Sequence, residues 1–293
     1  METNIIFQID GGIGKSIMAT AVCEAIKKQY PNDKLIVITA YPEVFLCNPH
    51  VDKCLSHNNL NYFYKDYIEN KSIKAFLHNP YFEASHIKEE KHLIKTWCEM
   101  FDIKYNDEQP KMYLTNREIM FYSNQFVSDK PIFVIQTNGG GSDQQIKYSW
   151  TRDIPNKTAQ EIVDTFKDEY KIIHIKREDQ MSLMNTTPFT ADFRALVVLI
   201  SLSTKRLLID SFAQHTAKAL NLNSVVCWIG NNPDVFGYEN NINIKANKET
   251  TLPELKNSFL QKYNISGSLL EFPFNDEDEI FNVEDIIEAV NKI

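Results

Sequence analysis

The sequence predicts an α/β protein made of two successive Rossmann-like halves that face each other, each built around a parallel sheet. Three observations carry that expectation. Apolar strand-like runs alternate with amphipathic helix-like segments along the chain, the pattern of parallel α/β construction. The order strand, glycine-rich turn, helix occurs twice, over residues 5–29 and 132–167. The length of 293 residues suits two medium domains better than one.

The first half opens with a strand at 5–9, a turn holding Gly11, Gly12 and Gly14, and a helix over 15–29 that turns Ile17, Ala21, Cys23 and Ile26 inward. Pro31 stops that helix. Strands follow at 35–39, 53–55 and 73–77, then a helix over 92–101. Thr115 and Glu118 have capping-box spacing for a further helix over 115–127. Pro131 precedes the strand 132–136, and the domain boundary is set just before it. Glycines 139–141 follow, then strands at 172–175, 206–209 and 224–229. Helices are expected over 156–167, 193–202, 212–220, 253–263 and 283–292. The expected domains are therefore 1–129 and 130–275, with a closing segment 276–293 that could pack back on the first domain. Ligands of such sheets bind beyond the carboxyl ends of the strands.

Bulk composition narrows the partners. A formal net charge of −8 lacks the global attraction to nucleic acid or anionic lipid that a basic protein has. No basic region followed by an apolar run opens the chain, and no stretch is long and apolar enough to span a bilayer, so a cytoplasmic protein is expected. The five cysteines (Cys23, Cys47, Cys54, Cys98 and Cys227) are scattered and contain no CxxC pair, which reads as reduced thiols.

Three segments carry the chemistry. Asp10, Gly11, Gly12, Ile13, Gly14, Lys15 and Ser16 form a glycine loop that feeds a helix, and the free amides at that helix start suit an anion. A P-loop is one reading. The common form requires glycine where Ile9 stands, and the shorter ParA-type form requires lysine where Asp10 stands. Residues 207–210 supply a Walker B candidate for that reading. The second segment, Asp210, Ser211, Phe212, Ala213, Gln214 and His215, follows an apolar strand and opens a helix whose positive end suits a diphosphate. Helix capping by Asp210 or Ser211 is the plainer alternative. The third holds Gly139, Gly140, Gly141, Lys147, Ser149 and Trp150, where Lys147 could neutralise a leaving phosphate or simply be solvated. The acidic run 276–279 contains Asp-x-Asp but lies in a polar linker, and His50, His57, His78, His86, His92 and His174 show no metal-ligand spacing, so no metal is expected. Tyr62, Phe63, Tyr64 and Tyr67 are core or an acceptor platform.

In this order the segments resemble the ADP-heptose:lipopolysaccharide heptosyltransferases, glycosyltransferase family nine. The opening strand, loop and helix are similar to that family's. Asn48, Pro49, His50, Val51 and Asp52 look like its Asn-Pro-aromatic-Val-Asp segment, and Lys147 to Trp150 occupy the place of its Lys-x-Trp. Asp210 to His215 resembles its Asp-Ser-Gly-x-x-His, with Gly230 and Pro233 in the turn that follows. Two departures stand out. Lys15 replaces the family's loop aspartate, the base, and Phe212 replaces the motif glycine.

The resemblance implies the GT-B fold and inverting, metal-independent sugar transfer from a nucleotide-sugar to a glycan or other hydroxyl. A nucleic-acid acceptor stays open. Gly139, Gly140, Lys147, Asp210, Ser211, Phe212 and His215 would hold the donor, and Gly11, Gly12 and Gly14 would lie on the acceptor side. Asp10 would serve as base, with Lys15 holding an anion. A GT-B protein that binds without turnover and a ParA-type ATPase remain as alternatives.

Overall fold

A computed structural model describes residues 3–139, 151–190, 192–247 and 274–293. The ten described strands form two separate sheets, and every pairing is parallel. The chain divides into two compact units, Met1–Asn116 with Lys218–Asn221, and Arg117–Ala217 with Leu222–Ile293.

In the first unit β1 (Thr3–Ile9), β2 (Lys34–Thr39), β3 (Lys53–Ser56) and β4 (Ser72–Phe76) lie in the order β3-β2-β1-β4. The chain therefore reverses direction of winding between β1 and β4, and the carboxyl ends of such a pair are where ligands of doubly wound sheets bind. Helix α1 (Ile13–Gln29) joins β1 to β2. The sequence suggests one inward stripe for it, but the structure buries Lys15 through Ile26 on all sides. The outer side is covered by the chain near Lys111, whose amide donates to Thr20 Oγ1 at 3.0 Å and whose ammonium lies 2.7 Å from Glu24. Lys28 links the same helix to Glu108 at 3.1 Å.

A one-turn helix α2 (Ala84–Ile87) precedes α3 (Leu93–Met100), which places Trp97 edge-on against Phe7 at 5.3 Å. Phe101 stacks on Phe76 at 4.5 Å. Phe63 and Tyr67 pack on Ile6, Ile36 and Ile38, whereas Tyr62 and Tyr64 are exposed. The four aromatics are thus split between core and surface.

The second unit begins with α4 (Asn116–Ser123), whose Glu118 accepts from Arg194 Nε at 2.7 Å. Its sheet contains β5 (Ile132–Ile135), β6 (Lys171–Ile175), β7 (Thr187–Phe189), β8 (Lys205–Ile209), β9 (Val225–Trp228) and β10 (Ile242–Lys245) in the order β10-β9-β8-β5-β6-β7. This is the doubly wound arrangement, with its reversal between β5 and β8. The connections include α5 (Asn156–Phe166), α6 (Phe193–Leu202), α7 (Phe212–Ala219) and the short α8 (Pro233–Phe236). Asp192 caps α6 by accepting from the Ala195 amide at 2.9 Å.

The closing helix α9 (Val283–Lys292) packs in the core of the second unit. Ile286, Ala289 and Val290 are buried in the same core as Phe133, Ile162 and Phe166, because its apolar stripe matches the face of that sheet. Lys205 of β8 donates to the Val290 carbonyl at 2.6 Å and the Ile293 carbonyl at 2.8 Å, satisfying acceptors that a helix end leaves free. The expected helix 253–263 lies outside the described residues.

Candidate functional site

The first cluster lies at the carboxyl ends of β1 and β4. Gly11 adopts φ +103°, a conformation that L side chains rarely take, and a Cβ there would sit 3.3 Å from Lys15 Cδ. Gly12 has ordinary φ −80° as the residue before α1, with open space where a Cβ would be, and Gly14 lies in the first turn. The turn brings Lys15 back under the loop. Its Nζ donates to Asn79 Oδ1, just beyond β4, at 2.7 Å and lies 4.8 Å from the Tyr81 ring and 5.1 Å from that of Trp97. Burial pushes its ammonium down to about 8, against the pull of Asp10. The lysine thus lies at the carboxyl ends of β1 and β4, bound by the protein's own groups.

Asp10 stands at the opposite end of the loop, half exposed. It accepts from Gln8 Nε2 at 3.1 Å, and His57 Nε2 approaches it to 3.6 Å. His57 carries no spacing signal, because it comes from the end of β3 and meets Asp10 only once the sheet forms.

The second cluster lies at the carboxyl ends of β5 and β8. Gln136 Nε2 donates to Ser211 Oγ at 3.3 Å, joining the two strand ends across the reversal. Asp153 accepts from the Gly139 amide at 2.8 Å and from Asn138 Nδ2 at 3.2 Å. A Cβ on Gly139 would come within 2.5 Å of Arg152 Nε, so glycine lets that guanidinium lie on the backbone. Thr137 gives its proton to Asn138 Oδ1 at 2.9 Å, so the buried His174 must donate to Thr137 through Nε2, also at 2.9 Å. Burial, reinforced by Lys176, drives the His174 imidazole down to about 4, which keeps it neutral.

Asp210 accepts from Asn231 Nδ2 and from Gln214 Nε2, the latter at 3.2 Å. Burial raises its carboxyl above the usual range, while the Asn231 bond, the Arg152 charge and the Gln214 bond oppose that rise. His215 is buried with Nδ1 2.8 Å from the Tyr238 hydroxyl. The Phe212 ring packs edge-on against Phe193 of α6 at 6.2 Å. Gly230 donates its amide to the Thr151 carbonyl at 2.7 Å, a contact that a side chain would obstruct.

The structure thus groups Gly139, Asp210, Ser211, Phe212 and His215 at one sheet edge of the second unit, and Asp10, Gly11, Gly12, Gly14 and Lys15 at one edge of the first. Gly140 and Lys147 lie outside the described residues. Gln136, Arg152, Asp153, His174 and Asn231 join the second cluster from sites that local sequence patterns do not connect. Among the described residues no group of three or more His, Cys, Asp or Glu converges as a metal site. No described helix is long and apolar enough to cross a membrane.

No protein-family model matches the chain, and no curated protein matches it. Solved structures do. A family 9 glycosyltransferase from Veillonella parvula is 14% identical, with a TM-score of 0.69 over 99% of this chain and 96% of its own. The E. coli ADP-heptose lipopolysaccharide heptosyltransferase II is 12% identical, with a TM-score of 0.67 over 100% and 98%. The dodecameric iron-containing heptosyltransferase TibC of enterotoxigenic E. coli, solved with ADP-D-beta-D-heptose, is 12% identical, with a TM-score of 0.66 over 99% and 76%. Two all-parallel sheets, each with its own winding reversal, together with these likenesses, establish that the chain has the GT-B fold of the family 9 glycosyltransferases.

Proposed function

We propose that the protein transfers a sugar from a nucleoside-diphosphate sugar to an acceptor hydroxyl, with inversion and without a metal. The observation that carries this reading is the Gln136–Ser211 link across the β5–β8 reversal, where the helix α7 starts and the Arg152 guanidinium lies on Gly139. A diphosphate placed there would meet the free amides of Ser211, Phe212 and Ala213 and a fixed positive charge. Arg152, with Lys147, would stabilise the charge that builds on the leaving diphosphate. Asp210 and Asp153 are both engaged by protein donors, which favours recognition by hydrogen bonds over a metal bridge.

In the first unit, Asp10 is the carboxylate on which removal of the acceptor proton depends. Lys15 acts as a charge behind the loop. The acceptor is a glycan or another hydroxyl compound. The net charge of −8 disfavours nucleic acid, and we place the reaction in the cytoplasm. Because two similar structures are of heptosyltransferases, one of them with ADP-D-beta-D-heptose, that compound is the first donor to test.

The test is thermal melting with nucleoside diphosphates and their sugars, with and without magnesium, since a ligand of the native state raises Tm by mass action. A rise with ADP-heptose that needs no magnesium is expected. A rise only with ATP and magnesium would replace this reading by an ATPase. Metal analysis of the purified protein checks for iron, given the iron in TibC. Lys15 at the place of the family's loop aspartate favours one second reading, a protein that binds the donor without turnover, and that would show the same Tm rise with no release of diphosphate.

A further inference from the structure

We propose that His57 takes the acceptor proton, with Asp10 holding the imidazolium that forms; the inference rests on the transfer reading above. The geometry comes from one sheet edge. His57 follows β3, and its amide donates to the Thr39 carbonyl at the end of β2 at 3.2 Å, which fixes its backbone beside the neighbouring strand end. Its side chain reaches across to the end of β1. There Nε2 lies 3.3 Å from the Ile9 carbonyl and 3.6 Å from Asp10 Oδ1.

A carbonyl oxygen can only accept, so Nε2 carries the proton and Nδ1 carries the lone pair. Among the described residues Nδ1 has no hydrogen-bond partner, and the side chain is 30% exposed. The Ile9 carbonyl therefore orients the ring through Nε2, the Asp10 carboxylate stands 3.6 Å from the same nitrogen, and Nδ1 is presented as a base. The carbonyl fixes the tautomer, and the nearby carboxylate stabilises the charged ring, as the acid does in a carboxylate–imidazole pair. Asp10, 51% exposed and already accepting from Gln8, is placed to do that at the loop that the sequence singles out.

Asp10 of the β1–α1 loop is the charged group paired with the ring, and Lys15 is coupled electrostatically to Asp10. The end of β2 offers the neutral Thr39 carbonyl. In the reaction the acceptor oxygen bonds to the anomeric carbon as its proton passes to His57 Nδ1. The bond from that carbon to the diphosphate oxygen breaks, and its electron pair leaves with the nucleoside diphosphate. The imidazolium then loses its proton to water.

Two measurements test the proposal. In protein labelled with 15N-histidine, the ring of His57 is expected as the Nε2–H tautomer, and a ring protonated at Nδ1 would overturn the assignment. ADP release from ADP-heptose is then followed against pH, with water and a panel of sugars as acceptors. A general base acts only when unprotonated, so the wild-type rate is expected to fall on the acid side. His57→Gln keeps a donor for the Ile9 carbonyl, so Tm and the ADP-heptose melting shift should hold. The rate should nonetheless fall by about 10²–10⁴-fold, the usual size of general-base catalysis, and the acid limb should vanish. Unchanged rate and acid limb in His57→Gln would mean that Asp10 acts directly. A wild type that binds the donor but releases no ADP with any acceptor would overturn the transfer reading itself, and this proposal with it. The intact-turnover outcome overturns only the role of His57.

Discussion

Lys15 carries its ammonium in among the Tyr81 and Trp97 rings, and burial lowers its proton affinity to about 8 from the ordinary 10.5. The unfolded chain then binds more protons than the folded one between those two values. Stability contributed through Lys15 should rise with pH across that window and be lowest below 8. Urea unfolding at several pH values checks this: Lys15→Met should lack the rise that the wild type shows. The two neighbouring glycines differ in kind. Gly11→Ala forces a side chain into φ +103° and should cost about 1–3 kcal/mol. Gly12→Ser meets open space at ordinary φ and should change stability by only a few tenths of a kcal/mol, roughly. Paired melting curves of the two variants decide it. The glycine loop was legible in the sequence because its residues are contiguous. The partners of its charged ends, Asn79 and His57, were not, since they arrive from β4 and β3 through strand pairing.

Helices such as α6 and α9 were legible to the residue, because each combines an apolar period of 3.6 with an Asp or Asn cap. Strands β7 and β10 gave no comparable signal. Each is three or four residues long at a sheet edge, and β7 contains Pro188, which local propensity assigns to a turn. Only pairing to β6 and β9 makes them strands. The packing of α9 was also illegible, because an apolar stripe says that a helix is covered but not by which surface. Ile286→Ala, which opens a cavity beneath that stripe, should destabilise by about 2–5 kcal/mol. Asp192→Ala should cost about 1 kcal/mol by uncapping α6. Both are read as shifts in the urea midpoint.

For the whole molecule, the order of segments was more informative than any motif. Two motifs depart from their pattern, at Lys15 in the first loop and at Phe212 in the second, yet two parallel sheets form with the reversal that the alternation of elements implies. The ATPase alternative draws on the first loop and on residues 207–210, and leaves the order of the other segments unexplained. Hydrolysis of ATP with magnesium should therefore be negligible and insensitive to Lys15→Met, as a phosphate-release assay can show. The second cluster was partly legible: Asp210 to His215 is a contiguous run, whereas Arg152, Asp153 and His174 reach it through long-range contacts.

Placing Trp97 5.1 Å from the Lys15 ammonium has an optical consequence. The excited indole is sensitive to a nearby charge, so the emission of Trp97 should change as that ammonium loses its proton or swings away toward a bound anion. With the other tryptophans replaced by phenylalanine, the intrinsic fluorescence of the protein becomes a direct gauge of events at its glycine loop, with no attached dye.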